Sequence, residues 1–173
     1  RLDRPQDEKQ VRFRFTAARR TGEDVLSIRD LAKGFDGHSL FQHVSLTLRA
    51  GDRVALLGPN GVGKSTLLKC LTGQQTQDAG VIHWGANVDV GYYDQQQKTL
   101  HPEKTVLDEV WDAFPRMEQT DIRSALGLFL FTGEDVFMPI HTLSGGEKGR
   151  VALTELMLRR DNFLLLDEPT NHL

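Results

Sequence analysis

No part of this 173-residue chain approaches the roughly 18–20 consecutive apolar residues that a membrane-spanning helix needs, so no membrane insertion is expected. Cysteine is almost absent. Cys70 stands alone, which excludes an internal disulfide and points to a reducing compartment, with the cytoplasm as the expected location. The opening residues, RLDRPQDEKQ, are charged from the start, and a secretory leader is not expected from them. There is no internal repeat, no low-complexity stretch and no sustained heptad run, which argues against solenoid, linker-like and long coiled-coil architectures. Strong net charge is missing too: at −3 the total argues neither for nor against a nucleic-acid partner.

What remains is a chain with 39% apolar and 26% charged residues, long enough for one domain with its own core. Its charge is unevenly spread. Residues 1–20 hold seven Lys and Arg against three acids, or +4, leaving −7 on the rest. A basic arm on an acidic body can touch phosphates; it can equally be a solvated linker.

Periodicity divides the chain. VLSIRDL and LFQHVSLTL alternate as strands around the turn FDGHS, and RVALLG is a short apolar run that reads as a buried strand. KSTLLKCLTG has helical spacing with Gly73 as its stop, and VIHWGANVDVGYYDQ reads as two strands around Gly-Ala-Asn. From about Thr105 the pattern turns helical. Val106, Leu107, Val110, Trp111 and Phe114 share one face, halted by Pro115, and Ile122, Ala125, Leu126 and Phe129 repeat the spacing. A loop and helix follow in LSGGEKGRVALTELMLRR, then a strand, Phe163 to Leu166, ending at Asp167 and Glu168. An α/β body interrupted by a helical insert is the expectation.

The most informative stretch is GPNGVGKST: Gly58, Pro59, Asn60, Gly61, Val62, Gly63, Lys64, Ser65 and Thr66. It fills the G-x-x-x-x-G-K-[ST] pattern between an apolar run and a helix. Glycines let successive backbone N–H groups curl around a phosphate, and the helix start adds its positive end to the same place. Lys64 is expected to reach the β/γ-phosphates and Ser65 to ligate Mg²⁺. Strands of a parallel sheet deliver their carboxyl ends to one crevice, so Asp167 is expected beside this loop as a second Mg²⁺ ligand. Glu168, one residue further, is placed to polarise a water against the γ-phosphate.

A second glycine-rich helix start, Leu143-Ser144-Gly145-Gly146-Glu147, precedes Asp167 by 23 residues counted from Ser144. This ordered set resembles the ATP-binding cassette (ABC) ATPases, over nearly the whole chain from about Val25. DEPTNHL, GEK followed by Arg150, and VGYYDQ resemble the ABC-F group, cytosolic ATPases that carry two cassettes in one chain. The resemblance implies a P-loop NTPase fold with an antiparallel β-subdomain, a mostly parallel core sheet and a helical insert. It implies ATP and Mg²⁺ as ligands and assigns Gly58–Thr66 to the Walker A loop. Gln95 becomes the glutamine that contacts Mg²⁺ and the attacking water, Asp167 the Walker B aspartate and Glu168 the catalytic glutamate. Phe35 falls where the family stacks an aromatic ring on adenine. Ser144, Gly145, Gly146 and Glu147 form the signature that faces the γ-phosphate held by a second cassette, from the same full-length chain or a second copy.

In domain terms, residues 1–24 are expected to end a basic inter-cassette linker, with Val11, Phe13 and Phe15 as a first strand or docking face. Residues 25–173 are expected to form an incomplete cassette with a helical subdomain at about 100–142. A switch histidine downstream of TNHL is expected outside this chain, so ATP binding should survive better than turnover. The implied function is ATP-driven association with the ribosome, its RNA and tRNA, in translation or ribosome protection. The alternative is the energising subunit of a membrane transporter, and a third class is a non-catalytic nucleotide sensor. Gly149, where the family more often has alanine, should weaken the signature helix by up to about 1 kcal/mol.

Overall fold

A computed structural model describes residues 14–94 and 100–167. They divide into two compact units. Ala17–Tyr92 and Asp161–Asp167 form one, and the other is built on Tyr93–Arg160.

The first unit opens with an antiparallel sheet of β1 (Asp24–Phe35), β2 (His38–Arg49) and β3 (Ala79–Trp84), in the order β2-β1-β3. The expected FDGHS turn is there: Asp36 and Gly37 have φ of 49° and 79°, both positive as a two-residue hairpin of primed type requires. Helix α1 (Lys64–Leu71) follows the phosphate loop and ends at Thr72, with Gly73 in the left-handed region as anticipated. β4 (Val90–Tyr93) and β5 (Phe163–Leu166) pair in a second sheet. Leu26, Ile28 and Leu31 of β1, Leu68 and Leu71 of α1 and Leu165 of β5 make one buried cluster, flanked by Phe41, Trp84 and Phe163. Trp84 and Phe163 meet edge to face, with ring centroids 5.1 Å apart.

One expectation fails here. RVALLG is not a buried strand: residues 53–58 have no regular structure, and Val54, Leu56 and Leu57 are 55%, 40% and 90% exposed. An apolar run becomes a strand only when a neighbour takes its N–H and C=O groups. Among the described residues β4 and β5 pair with each other and no strand pairs with 53–58. The triple-leucine strand forms as expected and pairs with β4, with Leu165 inside and Leu166 40% exposed. Of the expected N-terminal strand, Val11 and Phe13 lie outside the described residues and Phe15 sits in irregular backbone.

The second unit is helical: α2 (Val106–Ala113), α3 (Gln119–Leu128) and α4 (Gly145–Arg159), joined by 3₁₀ turns at Gly133–Phe137 and Ile140–Thr142. Thr105 caps α2 by accepting from the Asp108 N–H at 3.1 Å, and Pro115 closes the segment two residues after the helix ends. Val106, Val110, Ile122, Leu126, Phe129 and Val151 are buried from solvent, giving the helices a core of their own.

Candidate nucleotide site

The phosphate loop hangs between the exposed run 53–57 and α1. Gly63 is the residue that caps the helix, at φ 100°, and a Cβ there would lie 3.2 Å from Phe41 Cδ1 and 3.3 Å from Leu40 Cβ. Both the backbone angle and the close approach of β2 disfavour a side chain. The Lys64 ammonium folds over its own loop, donating to the carbonyls of Gly58 at 2.7 Å and Pro59 at 3.1 Å. The first intrahelical bond runs from the Leu67 N–H to the Gly63 carbonyl. The N–H groups of Lys64, Ser65 and Thr66 therefore have no acceptor within the helix, and a phosphate suits them. A backbone cradle, a helix start and an ammonium form a fitting seat for a polyphosphate.

Asp167 belongs to the same unit. Leu165, two residues before it, shares the buried cluster with Leu68, one helical turn after Lys64. Asp167 itself is only 5% exposed. A buried carboxylate needs a cation or several donors near it, and a metal ion meets that need. Gln95 and Glu168 lie outside the described residues.

Phe35 closes β1 at the hairpin tip, 44% exposed, and borders a cavity of about 320 Å³ that Lys33, His38, Ser39, Gln42 and Asp78 also line. A larger hollow on the same antiparallel sheet, lined by Asp24, Arg29, Thr47 and His83 among others, shares no residue with the phosphate loop. Lys33 is 9% exposed; its ammonium is 2.6 Å from Asp78 and 4.9 Å from the centre of the Phe35 ring. The hydrogen bonds from Lys33 and from the Gly34 N–H hold the Asp78 carboxyl below its ordinary range. Sequence reasoning missed this pair. No local signal marks it, since 45 residues separate the partners.

In the helical unit the signature residues build a capping box. Ser144 Oγ accepts from the Glu147 N–H at 3.3 Å, and the Ser144 N–H and hydroxyl donate to Glu147 Oε2 at 2.8 and 2.7 Å. Those bonds pull the Glu147 carboxyl below its ordinary range. Ser144, Gly145 and Gly146 thus open a fixed helix start, while the Glu147 side chain is engaged in holding it. Gly149 is buried within α4.

A further cluster went unforeseen. Arg19 forms a two-pronged ion pair with Asp89, both contacts at 2.6 Å, and Asn162 donates to the carbonyls of Arg19 and Asn87 while accepting from the Asp89 N–H. The end of the basic entry segment is thereby pinned beside the start of β5. Partners separated by 70 residues or more leave no local trace in a sequence.

The family description "ABC transporter" matches residues 41–171. The chain belongs to the ABC transporter family. It is an ATP-binding cassette of that family. It is 51% identical over 168 residues to the ATP-binding protein YdiF of Bacillus subtilis, covering 96% of this chain and 26% of the relative. It is 37% identical over 174 residues to ABC transporter F family member 5 of Arabidopsis thaliana, covering 99% and 26%. The resemblance to the ABC-F group is borne out by such relatives. This cassette spans about a quarter of their length. Its fold is that of a solved ATP-binding cassette, dimeric and bound to ADP and phosphate, with a TM-score of 0.71, 21% identity, and coverage of 86% of this chain and 75% of that one. The α/β P-loop architecture with an antiparallel sheet and a helical part is the one anticipated.

Proposed function

We propose that this cassette binds ATP with Mg²⁺ at Gly58–Thr66 and hydrolyses it once a second cassette completes the site. The observation that carries the reading is the loop itself, in which the Lys64 ammonium folds back on the Gly58 carbonyl, Gly63 caps α1 in the left-handed region, and the first N–H groups of α1 are left without helical acceptors. Lys64 then leaves its loop carbonyls for the β- and γ-phosphates, an exchange of neutral acceptors for charged ones. The Ser65 hydroxyl and Asp167 would hold Mg²⁺, which offsets charge on the phosphates. Among the described residues no group of three or more His, Cys, Asp and Glu gathers as a metal cage, and a cation that keeps phosphate and water ligands needs none.

The family resemblance supplies Glu168 as base and Gln95 as the group that orients the water. The water oxygen bonds to the γ-phosphorus, the bond to the β–γ bridging oxygen breaks, and that oxygen leaves on ADP with the electron pair. Ser144 and the helix start of Gly145 and Gly146 would face the γ-phosphate of the other cassette, so ATP bridges two cassettes and hydrolysis releases them. For the full-length protein, the resemblance to the ABC-F group implies the ribosome, with its RNA and tRNA, as the partner of the closed state.

The test uses the full-length protein carrying Glu168→Gln. Blocked hydrolysis should trap the closed form, and ATP-dependent co-sedimentation with ribosomes is expected, lost again on adding Lys64→Ala. ATP-dependent capture of a transmembrane partner, with none of ribosomes, would replace this reading with that of a transporter subunit.

A further inference from the structure

The hairpin tip carries more than an aromatic ring. The three residues before Phe35 are tied to Asp78. Asp78 Oδ1 accepts from Lys33 Nζ at 2.6 Å, Asp78 Oδ2 accepts from the Gly34 N–H at 2.8 Å, and the Asp78 N–H donates to the Ala32 carbonyl at 2.9 Å. Asp78, just before β3, therefore holds three consecutive residues leading to the ring, Lys33 and Gly34 through its carboxylate and Ala32 through its backbone N–H. Gly34 permits it: a Cβ there would stand 2.5 Å from the His38 carbonyl oxygen, so the two strands close to a distance only glycine allows. The Lys33 ammonium, almost wholly buried, approaches the ring at 4.9 Å, while the ring as a whole stays 44% exposed. One side of Phe35 is committed to a cation and the rest is left open.

The register places this ring usefully. Lys33 pairs with Phe41, and Phe41 touches the position of Gly63 at the mouth of the phosphate loop. Phe35 lies two residues further along β1, about 7 Å at the usual rise of a strand. That is a suitable offset for a base whose phosphates sit at α1.

We propose that Lys33 and Asp78 are positioning residues for nucleotide binding, holding Phe35 as a rigid platform on which the nucleobase stacks. The inference rests on the phosphate-loop reading and adds to it two residues that touch no phosphate. Stacking on a mobile ring costs ordering entropy at the moment of binding; a ring already fixed by an ion pair and a cation does not incur that loss. The ammonium also draws electron density from the ring, which favours the electron-rich face of a purine on the opposite side.

Calorimetry with two probes separates the base from the phosphates: Mg–ATP and Mg–tripolyphosphate, which has no base. Lys33→Met keeps the apolar stem and removes the cation; Asp78→Asn acts on a half-exposed side chain and keeps its shape. Each is expected to weaken ATP binding roughly three- to tenfold and to leave tripolyphosphate binding unchanged. The unchanged tripolyphosphate arm doubles as the check that the variants fold. In a Phe35→Ala background neither substitution should weaken ATP further. Equal losses for both probes, or a full effect without the ring, overturn the platform. Lys64→Ala tells the two levels apart: loss of both probes there, with Asp78→Asn neutral, sinks the platform alone. Retention of both probes by Lys64→Ala sinks the phosphate-loop reading and the platform with it.

Discussion

Lys64 donates to two carbonyls of its own loop, and its ammonium is the only charged side chain among residues 54–66. Lys64→Ala removes the loop's own positive charge and should lower Mg–ATP affinity at least tenfold in calorimetry; unchanged affinity contradicts the assignment. Gly63→Ala tests the loop geometry without touching charge. It forces a left-handed backbone on a Cβ that meets Phe41 and Leu40, so a loss of about 1–2 kcal/mol in stability and a clear loss of ATP affinity are expected. The glycine pattern made this loop legible in the sequence, because its chemistry is local. Lys33 and Asp78 were not legible, since 45 residues separate them and only the folded sheet brings them together.

At the scale of elements, the signature helix α4 depends on its capping box. Ser144→Ala frees the Glu147 N–H and should cost about 1 kcal/mol in urea unfolding; Ser144→Asp, which still caps, should cost far less. The packing of α2 on α4 contains a sharper feature. Glu155 of α4 is largely buried and lies near Glu109 of α2, which is 5% exposed. Burial first, and the Glu109 charge second, push the Glu155 carboxyl up to about 7; Arg159, His101 and Lys104 pull the other way. His101 Nδ1 stands 3.0 Å from Glu109. Because the folded value is raised, the folded unit binds the proton more tightly than the unfolded chain. The contribution of this carboxyl is therefore undiminished below about 4.5, the ordinary value, and falls as pH rises toward about 7, by on the order of 3 kcal/mol. Glu155→Gln should flatten that fall and raise the unfolding midpoint at pH 8. A wild-type midpoint that rises between pH 5 and 8 goes against this. The hairpin β1–β2 and helix α1 were readable because turn and stop residues announce them. The run 53–58 misled because a strand is a relation between segments, and alternation or apolarity in one segment cannot report whether a neighbour pairs with it.

For the molecule as a whole, the proposed function has ATP link two cassettes, with each signature completing the other's site. Turnover by this chain should therefore rise with the square of its concentration at low concentration, and Ser144→Arg, which obstructs the partner's phosphate, should abolish turnover while leaving Mg–ATP binding intact. A rate per molecule that stays constant across a hundredfold dilution argues for a site complete in one chain. The hydrophobic period shifts near Thr105, but it does not announce that the signature helix belongs with the helical unit, Tyr93–Arg160, rather than with the unit carrying the phosphate loop and Asp167. The clamp of Arg19, Asp89 and Asn162 was not legible either, because charged residues in turns read as solvated until their partners are known.

The most direct measurement of the central claim replaces Mg²⁺ with Mn²⁺ and follows paramagnetic broadening of backbone amide resonances in the presence of ATP. The Gly61–Ser65 amides and the Asp167 amide should broaden together, and Lys64→Ala should abolish both effects. Broadening at the loop with a sharp Asp167 resonance at saturating Mn–ATP would place the metal away from that carboxylate and contradict the shared site.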